Sequence, residues 1–173
     1  MVTKLAADFA ARLNVTDELQ DTAMDVDSDS ETSSSEGSEE PQEIRFQGRQ
    51  NNRVGFPLRV FVKSPLPVSS LRDGEEPVTI FEESKHDYIQ LDLTWPGYGT
   101  KSKLISVKNG KRDPIALRTL AEEVAKYCLS YMQEQSGDYN SENPTLGNVS
   151  FYQVYLVALH RSKGPVWKVE IQA

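Results

Sequence analysis

The sequence predicts an α+β fold: an antiparallel β-meander in the order β-β-β-β-α-β-β, with one long amphipathic helix packed on one face. Three observations lead there. Ile89, Leu91, Leu93 and Trp95 alternate with Tyr88, Gln90, Asp92 and Thr94, the period-two pattern of a half-buried strand. Leu117, Leu120, Ala121, Val124, Tyr127, Cys128, Tyr131 and Met132 recur at spacings of three and four, an apolar stripe wide enough to cover a sheet. Turn clusters at Pro96-Gly97-Tyr98-Gly99 and Arg161-Ser162-Lys163-Gly164-Pro165 separate runs that read as hairpins.

Taken in order, the domain starts at Val54. Leu58, Val60 and Val62 alternate with Arg59, Phe61 and Lys63 and predict a first strand. Pro65, Pro67, Gly74 and Pro77 make Ser64–Pro77 an irregular connection. Val78–Phe81 is expected as a short second strand, and Tyr88–Trp95 with Lys103–Val107 as a hairpin. Asp113-Pro114 supplies a good N-cap followed by a proline whose missing N–H costs nothing at a first helical position, so the helix is expected from there to about Glu134. Phe151–Leu159 is apolar on both faces and reads as a central strand. Val166–Ile171 closes the second hairpin, with Trp167, Val169 and Ile171 on one side. The helix is expected over the face that carries Ile89, Leu91, Leu93, Trp167 and Val169.

Residues 1–53 differ in kind. Val2, Leu5, Ala6, Phe9 and Leu13 share one face of a short helix over 1–14; alone it is marginal, so Leu5, Phe9 and Leu13 are the expected partner contacts. Residues 15–53 form an acidic, serine-rich segment expected to stay disordered, because it has little apolar surface to bury and its charges repel. Val15–Glu43 holds 11 carboxylates and no Lys or Arg, whereas Val54–Ala173 holds 14 acidic and 14 basic residues. The net charge of −7 therefore belongs to the tail. Thr22, Ser28 and Ser33 each have an acid three residues on, the pattern an acid-directed kinase accepts, and a phosphate would add further negative charge.

The composition also limits the chemistry. The lone cysteine, Cys128, excludes an intrachain disulfide, which fits a reducing compartment, and gives no basis for a zinc or redox pair. No signal peptide is expected, and no run approaches the length of a membrane span, so the two sequons at Asn14 and Asn148 read as chance and a nuclear or nucleocytoplasmic location is expected. His86 and His160 fall in polar surroundings, and neither a cofactor nor a metal is expected. The first expectation for function is a non-enzymatic interaction or regulatory module whose phosphorylatable tail binds basic proteins, histone-like or ribosomal. The alternative is a nucleic-acid-binding domain that uses the lysine-rich hairpin at 101–112. There Lys101, Lys103, Lys108, Lys111 and Arg112 lie near Tyr98, so stacking and phosphate pairing would combine, with the acidic tail as an autoinhibitor on the same edge. A small metal-dependent nuclease built on Asp92 and Glu170 ranks last, since such sites need two carboxylates converging on a metal.

Overall fold

The computed structural model describes residues 42–49, 54–63 and 70–173. The expected helix over 1–14, with Leu5, Phe9 and Leu13, lies outside the described residues, as do Thr22, Ser28 and Ser33. The fold is α+β: a mostly antiparallel sheet with one long helix packed against it.

The strands are β1 (Glu43–Arg45), β2 (Phe56–Pro57), β3 (Tyr88–Leu93), β4 (Lys101–Ser106), β5 (Thr145–Leu146), β6 (Val149–Ser150), β7 (Tyr155–Lys163) and β8 (Val166–Gln172). The helices are α1 (Arg59–Lys63) and α2 (Leu117–Ser136). The main sheet runs β1-β7-β8-β3-β4, and β2 pairs with β7 beyond β1. β5 and β6 form a separate small hairpin. Two hairpins, β3–β4 and β7–β8, meet at a parallel seam, where Leu91 stands opposite Trp167 and Asp92 opposite Lys168.

Four local readings are corrected. The alternation Leu58, Val60, Val62 is helical from Arg59 to Lys63, because Leu58, Phe61 and Val62 also satisfy a three-and-four spacing, and a run this short does not separate the two periods. The helical turn places the Phe61 ring 5.1 Å from that of Phe56. Val78–Phe81 is not a strand either; Thr79–Phe81 is a 3-10 turn that buries Phe81. The domain begins before Val54, since Glu43–Arg45 pairs with Ala158–His160 and buries Ile44, with Phe46 buried just beyond it. Finally, Asp113 does not cap the long helix. The side-chain oxygen of Asn109 accepts the amides of Lys111 and Asp113, at 2.8 and 3.0 Å. The chain then stays extended so that Ile115 donates to Val107 O and accepts from Val78 N. α2 starts at Leu117, where the amides of Leu117 and Arg118 find the carbonyls of Glu76 and Gly74, at 2.9 and 2.8 Å. These bonds meet the need of a helix N-terminus that a side-chain cap usually meets. Its far end, at Ser136, agrees with the expectation to within two residues.

The core lies between α2 and one sheet face. Ile89, Leu91, Leu93, Ile105, Leu156, Leu159 and Trp167 meet Leu120, Ala121, Val124, Cys128 and Met132, and every fully buried side chain among the described residues is apolar or aromatic, or the thiol of Cys128. Two tyrosines one helical turn apart make opposite predictions. The hydroxyl of Tyr131 donates to Gly99 O at 2.8 Å, so Tyr131→Phe is expected to cost about 1 kcal/mol by orphaning that carbonyl. The hydroxyl of Tyr127 is buried without a hydrogen-bond partner, and burial pushes its pKa up to about 12. Tyr127→Phe removes the unmet donor and is expected to be neutral or slightly stabilising. Urea denaturation of both variants checks the sign.

Candidate functional site

Among the described residues no helix lies on the face of the sheet away from α2, and the chemistry of that face follows from register. Directly opposed residues on neighbouring strands point to the same side. Glu43 stands opposite His160, His160 opposite Lys168, Lys168 opposite Asp92, and Asp92 opposite Ser102. A row of five polar side chains therefore crosses the sheet from β1 to β4. The neighbouring rows add Arg45 and Glu170 on one side, and Gln90 and Leu104 on the other.

Two clusters form along this row. At the β1 side, His160 Nε2 shares a 2.6 Å hydrogen bond with Glu170 Oε2, while its Nδ1 lies 3.9 Å from Glu43 Oε1. The guanidinium of Arg45 holds the other oxygen of Glu43 at 3.0 Å. At the β4 side, Asp92 Oδ1 accepts from Ser102 Oγ at 2.7 Å and from Gln90 Nε2 at 2.9 Å. The Ser102 bond, then that of Gln90, with a smaller contribution from the Lys168 charge, holds the Asp92 carboxyl below the usual aspartate value. Asp92 and Glu170 thus share a face without converging: the close neighbours of Asp92 are hydroxyl, amide and ammonium groups, and Glu170 is tied to His160.

The lysine-rich hairpin is divided between surfaces. Lys101 and Lys103 lie opposite Leu93 and Leu91 and so point to the helix side. There Lys101 forms an ion pair with Glu134, and the ammonium of Lys103 sits 5.8 Å from the centre of the Tyr127 ring, within cation–π range. Lys108 donates to Ser84 O at 2.8 Å and lies 4.0 Å from Asp87. Lys111 and Arg112 are exposed in the turn that precedes Asp113. Tyr98 is half-buried and packs on the core. The structure therefore does not gather these six residues into one basic surface.

Of the remaining titratable groups, His86 is exposed in a turn closed by Ser84, whose hydroxyl accepts the His86 amide. Cys128 lies in the core, where burial pushes its thiol up to about 12, so it behaves as a small apolar residue. The grouping of Glu43, His160 and Glu170 has no signal in the sequence, because three separate strands supply it and strand register alone brings them together.

A cleft of about 660 Å³ adjoins the β1 side of this face. Glu43 and Glu170 line it together with Arg45, Arg49, Arg72 and Asp73. Comparison with family models, with curated proteins and with solved structures finds no match to this chain.

Proposed function

We propose that this chain is a non-enzymatic protein-interaction module, nuclear or nucleocytoplasmic, in which an acidic, phosphorylatable segment attracts a basic protein and the folded domain supplies the specific contact. The observation that carries the reading is the open sheet face with its free edge. β4 has a single partner, β3, among the described strands. Leu104, in the middle of β4, is 69 % exposed, and Tyr88, diagonal to it on β3, is 58 % exposed. An edge strand is a template for a further strand, and such edges are commonly protected by charges. Here the two lysines of β4 are drawn to the helix side, and an exposed leucine faces the open side. Apolar contact beside unpaired backbone groups is what an added strand or a packed partner uses.

The charge pattern selects the partner. A segment with 11 carboxylates and no cation between Val15 and Glu43 favours Lys- and Arg-rich proteins of the histone or ribosomal kind, with an attraction that salt screens. The test compares three proteins in binding to a core histone: the intact chain, a chain lacking residues 17–41, and Leu104→Asp. The deletion is expected to remove most of the salt-dependent affinity, and Leu104→Asp to weaken the part that persists at higher salt. Histone binding that is unaltered in both variants, or absent from the intact chain, would sink the reading.

A further inference from the structure

We infer that Glu43, His160 and Glu170 form a binding site for a divalent transition metal of the zinc class. One donor atom from each of the three residues lies within 4.8 Å of the other two. Zinc holds imidazole nitrogen and carboxylate oxygen at about 2.0–2.2 Å in a tetrahedral array, so its ligands stand roughly 3.3 Å apart. The 2.6 Å contact of Glu170 is with Nε2 of His160 and the 3.9 Å approach of Glu43 is to Nδ1, so an ion on one ring nitrogen draws the carboxylate now beside the other nitrogen towards it. Because the donors already lie within 4.8 Å of one another, side-chain rotation closes the array without moving the strands.

Three features make this more than a surface ion pair. The donors project from three adjacent strands, β1, β7 and β8, whose register is fixed by backbone pairing, and sites on rigid elements hold their geometry better than sites on loops. Two carboxylates and a neutral imidazole balance a doubly charged ion, and the imidazole favours zinc-like metals over magnesium or calcium, which prefer oxygen alone. Arg45 binds the Glu43 oxygen that points away from His160, and so orients the ligand as outer-shell partners do. The remaining positions of the ion are open, since the three side chains are partly exposed. Because Glu43 and Glu170 also line the cleft that contains Arg45, Arg49 and Arg72, there is room for water or an anionic group as the fourth ligand. None of this depends on the interaction reading above.

The experiment is a calorimetric titration of the full chain with Zn²⁺ in excess Mg²⁺, which occupies the acidic segment. The wild-type chain is expected to take up one zinc ion saturably. His160→Ala and Glu170→Gln are expected to bind at least about tenfold more weakly, while His86→Ala, which removes the chain's other histidine, binds as the wild type does. Glu170→Gln keeps the side-chain shape, so it decides the matter if His160→Ala fails to fold. Absence of saturable zinc uptake by the wild-type chain overturns the inference, as does wild-type affinity in a folded His160→Ala or Glu170→Gln protein.

Discussion

Phe46→Ala is expected to cost about 3–5 kcal/mol, the usual range for removing a fully buried aromatic side chain. Phe46 has no exposed surface, and its amide donates to Val157 O at 3.0 Å, which fixes the ring next to the central strand β7. Once the ring is gone, backbone pairing keeps the chain from collapsing into the space, so a cavity term adds to the lost transfer energy. Against a typical domain stability of about 5–15 kcal/mol, that is a large fraction. Urea denaturation of the full chain measures it, with Val54→Ala as the comparison; Val54 is 65 % exposed and should change stability by less than about 0.5 kcal/mol. A cost below about 1 kcal/mol for Phe46→Ala would show that residues 43–46 contribute little to the core.

Gly55→Ala is the second large effect, about 2–5 kcal/mol, and it has two separable causes. Gly55 has φ +87°, a conformation that costs an L-residue roughly 1–2 kcal/mol. A Cβ at this position would also stand 3.1 Å from Leu156 O, 3.2 Å from Tyr155 Cβ and 3.2 Å from Val157 Cγ2. Those atoms belong to β7 and cannot retreat easily, so overpacking adds roughly 1–3 kcal/mol. Gly137 separates the two causes: its φ is +74°, yet nothing lies within 4 Å of an added Cβ. Gly137→Ala should therefore show only the conformational cost, and the difference in denaturation midpoint between the two variants reports the clash. Equal effects would mean that the chain around Gly55 gives way freely.

Both residues sit where the sequence is hard to read, and the reason is physical. The β3–β4 hairpin and the body of α2 are legible because each repeats one period over enough residues to exclude the other: Ile89, Leu91 and Leu93 for the strand, Leu120 to Met132 for the helix. Glu43-Ile44-Arg45-Phe46 also alternates, but over two apolar residues only, and it follows a long acidic stretch that dominates the local composition. Leu58–Val62 fits both periods. The start of α2 differs from the one local sequence predicts because its first amides are met by carbonyls of Glu76 and Gly74, partners that no rule of local sequence identifies. The polar row on the open face has the same origin. The outward orientation of Asp92 was legible from alternation. That Glu43 meets His160, and His160 meets Glu170, depends on which strands become neighbours, and that is a property of topology.

The parallel seam between β3 and β8 has a consequence for how the protein is made. β8 follows every other described strand along the chain, yet it occupies the middle of the sheet, with β7 on one side and β3 on the other. Until the ribosome has passed Gln172, the β3–β4 hairpin has an open inner edge, and Leu91 has no Trp167 beside it. Pairing between such distant segments is slow to form and leaves apolar strand edges exposed meanwhile. Until β8 has been made, the rest of the sheet should therefore stay protease-sensitive and chaperone-dependent, and it should become resistant in one step when β8 slots into place.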